Sequence, residues 1–231
     1  MRARYRKLPS PRAALKASLR RRWTSVLAGT GCCIRNQALH AVCALDGREG
    51  PWSYDSQVED FELTYRIRQL GYHCHVSPTV RAYTDAMDTV RALWGQRMKW
   101  QVGTVEDLLR FGVNRLTRLD WRQQVAGLAT TLIRVGWVVL LVWGALLGVL
   151  TFSPIWLFMP VLFAVADVKK AMRIPHKDVW DVVLAACLLP QELFAWMRAG
   201  WFFMSWLEVL ASRVTGRRKD HWTMQYAAEG R

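Results

Sequence analysis

Residues 58–72 read Val58-Glu59-Asp60-Phe61-Glu62-Leu63-Thr64-Tyr65-Arg66-Ile67-Arg68-Gln69-Leu70-Gly71-Tyr72. This stretch decides how the soluble part of the chain is read. Leu63, Ile67 and Leu70 recur at helical spacing and make one apolar face. Asp60 suits the N-cap, and Gly71 suits the position after the last turn, where a left-handed backbone carries no Cβ penalty. Glu59 and Asp60 therefore put two carboxylates at a helix start. Capping and complementation of the helix dipole would explain them without any chemistry.

The residues that follow alternate. Tyr72, Cys74 and Val76 fall on one face and His73 and His75 on the other, which suggests a short strand. His-x-His can ligate a metal, but no third ligand is evident, so a polar strand face is preferred. Further on, Asp88 is placed to cap a helix running through Gln96, Arg97, Lys99 and Trp100 to Gly103. Gln96, Lys99 and Trp100 share a face, with Trp94 and Trp100 flanking a cluster of donors. A glutamine, two cations and an indole suit a sugar diphosphate, since cations meet phosphate and the indole stacks on a sugar. An amphipathic interfacial helix anchored by Trp and Lys would read the same way.

Composition widens the view. The chain has 231 residues, 52 % of them hydrophobic, with 13 tryptophans and a formal net charge of +14. Such a charge suits nucleic acid, anionic lipid or an anionic substrate, and the long apolar stretches favour the last two over nucleic acid. The five cysteines are odd in number and lack zinc spacing, so they are read as reduced thiols in a cytosolic compartment. No acidic residue precedes Asp46, and residues 1–22 are rich in Arg and Lys without an apolar core. They read as a basic arm, either solvated or lying on anionic lipid.

The longest uncharged run is Val135 to Ala166, 32 residues. As one helix it would be about 48 Å long, against a hydrocarbon core of about 30 Å. Pro154 and Pro160 interrupt it, and positive residues flank both ends: Arg115, Arg118 and Arg122 before, Lys169, Lys170 and Arg173 after. The expectation is a hairpin of helices near 125–147 and 150–168, with both ends on the cytosolic side. Arg134 would lie inside the first helix, where it either binds an anionic group or snorkels. A second apolar region, Val179 to Leu210, is either another hairpin or a pair of interfacial helices. The expected organisation is a basic lead-in over 1–28, a mixed α/β region over 29–118, transmembrane and interfacial helices over 119–215, and a basic cytosolic tail over 216–231.

Taken together and in order, these segments resemble the membrane-bound family 2 glycosyltransferases, which include the cellulose, hyaluronan and chitin synthases. Gly29-Thr30-Gly31-Cys32-Cys33-Ile34-Arg35, followed by Ala38-Leu39, resembles the family's glycine-rich segment. Val58-Glu59-Asp60 resembles its Thr-Glu-Asp motif with Val for Thr, and Gln96-Arg97-Met98-Lys99-Trp100 its Gln-x-x-Arg-Trp motif with Lys99 for Arg. Gly103 fits as well, while Met87 stands where many relatives have proline. Each motif is short; their order, spacing and the apolar helices behind them make the joint signal.

The resemblance implies the carboxy-terminal part of a GT-A-like catalytic domain followed by transmembrane and interfacial helices. It implies a nucleotide-sugar donor, a glycan acceptor and transfer with inversion. Asp60 would be the general base, supported by Glu59. Gln96, Arg97, Lys99 and Trp100 would hold acceptor and diphosphate, and Gly29 and Arg35 would belong to the substrate site. Lys99 supplies charge but no bidentate fork. The family also implies Mg²⁺ or Mn²⁺, yet the Asp-x-Asp that holds the ion occurs nowhere in this sequence. The expectation is therefore a truncated or split enzyme whose donor and metal half is lost or is supplied by a separate polypeptide. A non-catalytic membrane subunit or an inactive relic is the alternative.

Overall fold

The structure is a computed structural model and describes residues 24–29, 31–76, 87–151, 153–154, 158–173, 177–217 and 219. Most of the basic lead-in and of the basic tail lies outside the described residues. The chain divides into two compact units, residues 1–125 with 201–231, and residues 126–200.

In the first unit, α1 (Asn36–Asp46) and α2 (Glu59–Gln69) pack through Val42, Leu63 and Ile67, with Cys74 closing the cluster. Burying aliphatic side chains of this size contributes about 1.5–3 kcal/mol each. The expected apolar face of α2 is thus its core face. At its end Gly71 has φ +85°; its N–H donates to Arg68 O at 3.1 Å and that of Tyr72 to Ile67 O at 3.2 Å. This closes the helix as a Schellman motif and explains the glycine. A second cluster, Val58, Phe61 and Leu108, joins the start of α2 to α3 (Val90–Phe111), with Val26, Trp100, Phe111 and Trp121 packed around it.

Three expectations are corrected here. The helix of the opening stretch starts at Glu59, so Asp60 lies in its first turn and is not the N-cap; Val58 stands there with no side-chain bond. α3 is capped by Thr89, whose hydroxyl accepts from Ala92 N–H at 3.1 Å, and not by Asp88. A threonine directly beside the first turn reaches the free N–H groups that the aspartate one residue earlier does not. The expected α/β character also changes: among the described residues there is no β-strand, only an isolated bridge at His75. The alternation of Tyr72–Val76 is real, because Cys74 is buried and both histidines are exposed. Alternation alone makes no ladder; the described backbone pairing is Thr24 N–H to Cys74 O at 2.9 Å.

The long apolar helix α4 (Arg118–Leu146) begins in the first unit, and α7 (Leu188–Thr215) ends there. Trp201, Phe202, Ser205 and Val209 form the buried stripe of α7. Trp201 meets Trp94 edge-on at 6.0 Å, and Trp206 donates its indole N–H to Gln124 Oε1 at 3.2 Å.

The second unit holds the rest of α4, α5 (Phe158–Ala171), α6 (Val179–Ala186) and the start of α7. α4 has 29 residues and a mean hydropathy of 2.0 over its most apolar window, and almost none of that window is buried. It is the one described helix long and apolar enough to cross a membrane by itself; α6 and α7 pass the same test only jointly, and they are bent by 67°. The second arm of the expected hairpin is shorter than expected. α5 has 14 residues, about 21 Å, and Pro160 sits in its first turn, where a missing N–H costs nothing. Arg134 pairs with Glu192 and lies 5.5 Å from the Trp196 ring centroid, so it faces protein groups.

Candidate active site

Asp60 is placed by a loop that runs past the start of α2. Leu27 N–H donates to Thr64 Oγ1 at 2.9 Å, and the same hydroxyl donates to Asp60 O at 2.6 Å. Two residues further along this loop, Gly29 N–H donates to Asp60 Oδ2 at 3.3 Å. The other oxygen, Oδ1, accepts Phe61 N–H at 2.7 Å. The structure therefore joins two expected site residues, Asp60 and Gly29, that are 31 positions apart. The position is also open, since a Cβ on Gly29 would meet nothing within 4 Å.

The Asp60 carboxyl is raised above the ordinary aspartate range, first by burial and then by the neighbouring charge of Glu59; the N–H groups of Phe61 and Gly29 oppose this. A half-buried carboxylate with a raised pKa and a fixed direction has the properties of a general base. Glu59 thus acts on Asp60 electrostatically.

α3 carries the second group of candidates and lies against the segment before α2. Gly103 makes this possible, because a Cβ there would meet Gln57 Cβ at 3.0 Å and the Val58 methyls at 3.0 and 3.1 Å. One turn earlier, Trp100 packs on the cluster of Val58 and Phe61, the residues that bracket Glu59 and Asp60. The Arg97 guanidinium carbon is 4.6 Å from the centre of the Trp100 ring, a cation–π contact. Arg97 Nε is buried without a hydrogen-bond partner among the described residues, and burial lowers the guanidinium's pKa. Gln96, Lys99 and Trp100 share a face of the continuous helix α3 by their spacing. Lys99 is buried, and Arg97 rather than an empty space lies over the indole. No hydrogen bond links Gln96 or the exposed Arg35 to Asp60 among the described residues.

Two features went unread in the sequence. Glu62 is 1 % exposed and is clamped by Arg48 through two bonds of 3.1 and 3.2 Å and by Arg66 Nε at 3.0 Å. Asp107 is buried and accepts the Ser56 hydroxyl at 2.7 Å. The signal for Asp107 was its spacing, two turns after Trp100 on the same face of α3. Among the described residues no three His, Cys, Asp or Glu side chains are placed to hold a metal ion. A cavity of about 500 Å³, lined by Thr24, Arg68, Tyr72, His73 and Arg115 among others, lies at the far end of α2 from Asp60 and contains none of the expected site residues.

The profile of "Glycosyl transferase family group 2" matches residues 13–168, and the chain belongs to that family. Among curated proteins it is similar to the "Probable glycosyltransferase YdaM" of Bacillus subtilis (strain 168), 29 % identical over 87 residues. That match takes in 38 % of this chain and 19 % of the relative, so the chain aligns with about a fifth of the relative's length. No solved structure matches.

Proposed function

We propose that the chain supplies the acceptor-side part of a membrane-bound glycosyltransferase of the polysaccharide-synthase type. It transfers a sugar from a nucleotide-sugar donor to a glycan hydroxyl with inversion. The observation that carries this reading is the Asp60 carboxylate, raised by burial and aimed by Gly29 and Phe61 N–H groups.

In the reaction Asp60 takes the proton of the acceptor hydroxyl. The freed oxygen forms the new bond to the anomeric carbon, the bond from that carbon to the diphosphate breaks, and the nucleotide diphosphate leaves with the electron pair. A single displacement inverts the centre. To Arg97, whose guanidinium carbon lies 4.6 Å from the centre of the Trp100 ring, this reading assigns contact with the negative charge of the diphosphate. Lys99 adds a second cation on the same helix. Mg²⁺ or Mn²⁺ would stabilise the leaving diphosphate. This reading assigns its ligands to sequence outside these 231 residues, in the same or a partner polypeptide, because no Asp-x-Asp occurs within them.

The membrane part of the proposal rests on α4 and its flanks. Arg115, Arg118 and Arg122 at its start favour a cytosolic position for that end. The bent pair α6 and α7 would supply one further crossing, giving a multi-pass protein on an anionic membrane.

The test is sugar transfer by membranes expressing this chain alone and together with the product of the upstream reading frame. It uses a panel of nucleotide sugars with Mg²⁺ or Mn²⁺. Transfer that is lost with Asp60→Asn supports the reading. Transfer that persists in the variant refutes the role of Asp60, and transfer by the chain alone refutes the outside donor half.

A further inference from the structure

We propose that Asp107 is a positioning residue for Asp60 and acts through Ser56; this rests on the reading of Asp60 as the base. The two elements involved are distant in sequence. Asp107 is on α3, and Ser56 is in the segment that leads into α2. Ser56 Oγ–H donates to Asp107 Oδ2 at 2.7 Å, and the same oxygen accepts Val58 N–H at 3.1 Å. Both side chains are buried, Asp107 to 3 % and Ser56 to 7 % exposure.

Val58 occupies the cap position of α2 and has no capping side chain of its own. Its N–H is instead held by Ser56, and Ser56 by Asp107. The next two residues are Glu59 and Asp60. Two further contacts pin the same segment to the same edge of α3: Gln57 Nε2 to Glu106 Oε2 at 3.4 Å, and the close approach at Gly103. Residues 103, 106 and 107 thus hold residues 56–58 in one register.

A buried carboxyl and hydroxyl are an expensive way to fill space, because each must be desolvated. An apolar pair would pack at least as well, but it would not fix a direction. The Ser56–Asp107 bond fixes the direction of the Val58 N–H, and with it the turn from which the Asp60 carboxylate meets the acceptor. Displacing a reacting group by about 1 Å costs on the order of 100-fold in rate, so a positioning residue without any substrate contact would still show in kcat.

The experiment uses the full chain in membranes or detergent, together with the upstream product where transfer requires it. It compares Asp107→Ala, Asp107→Asn, Ser56→Ala and Asp60→Asn. Hydrogen exchange is followed in the backbone of residues 56–61, with α1 as the internal control, and kcat and KM are measured separately. Asp107→Ala and Ser56→Ala are expected to raise exchange at 56–61 by about tenfold or more, since a buried bond is opened. They should lower kcat by roughly 10- to 100-fold with KM nearly unchanged. Asp107→Asn, which keeps an acceptor oxygen for Ser56, should restore both within about threefold, and the double alanine variant should be no worse than the worse single. Ser56→Ala removes one hydroxyl and carries the test if Asp107→Ala does not fold.

Unchanged exchange in both alanine variants, a loss confined to KM, or failure of the asparagine to rescue would each overturn the proposal. If Asp60→Asn keeps full transfer, the base assignment fails instead, and the exchange data still decide whether Asp107 holds the turn.

Discussion

Glu62 and Asp107 are both sealed from solvent, yet they meet burial differently. Glu62 has Arg48 and Arg66 against its oxygens, and removing one partner of such a cluster costs about 3–5 kcal/mol. Glu62→Ala is therefore expected to lower the thermal midpoint of the first unit strongly, measured by melting in detergent. Asp107 has a hydroxyl instead of a cation. Burial pushes its carboxyl up to about 7; Glu62 and Glu106 add to the rise, and the Ser56 bond and Arg110 oppose it. Its folded pKa is above the ordinary value of 3.8, so the unfolded chain releases this proton first. The stability it allows is fully present below that ordinary value and is lost as pH rises through about 7. Asp107→Asn removes the titration. Its melting advantage over the unmodified protein should grow from pH 4 to pH 7 and then level off, reaching on the order of 4 kcal/mol at most. A constant difference across that range would show that Asp107 does not titrate in this way.

At the scale of the elements, the joint between α2 and α3 depends on Gly103. Replacing it with valine puts two methyls where Gln57 and Val58 already stand, and overpacking of this kind costs about 1–3 kcal/mol. The predicted outcome is a lower melting temperature together with lost transfer, because the segment pushed aside is the one that leads to Asp60. These elements were partly legible beforehand. The apolar spacing of Leu63, Ile67 and Leu70 and the glycine at 71 marked the body and end of α2 correctly. The starts were misread, by two residues for α2 and by one for α3, since an aspartate beside a helix start looks like a cap until the neighbouring backbone is seen. The strand read from Tyr72 to Val76 kept its alternation, but among the described residues it amounts to a single bridge at His75. The Asp107–Ser56 bond spans 51 positions, and nothing local in either segment announces it. By contrast, the close approach at Gly103 and the Gly29 bond to Asp60 fall on residues that the family resemblance had already singled out.

For the whole molecule, the exposed surface of α4 is the main physical fact. Val139, Leu140, Val142 and Trp143 are all exposed, as suits a helix surrounded by hydrocarbon. Placing arginine at both 139 and 140 adds about 2.5–3.5 kcal/mol per residue to insertion at the middle of a span. The doubly substituted chain should be released by alkaline carbonate while the unmodified chain stays with the membrane pellet; equal retention would remove α4 from the list of spans. Arg134 does not carry that penalty unaided, because Glu192 and Trp196 face it. The long apolar helix was legible from its composition, whereas the short α5 and the bend between α6 and α7 depend on packing that hydropathy does not record.

The central claim is that Asp60 is the base of a glycosyl transfer, and the most direct measurement is the pH–rate profile of sugar transfer for the unmodified protein and for Asp60→Asn. The account predicts a loss of at least about 100-fold in kcat for the variant. For the unmodified protein it predicts activity that falls, as pH is lowered, through a pKa above the ordinary 3.8 of aspartate. Transfer by Asp60→Asn within a few-fold of the unmodified rate, with the same acid limb, would contradict it.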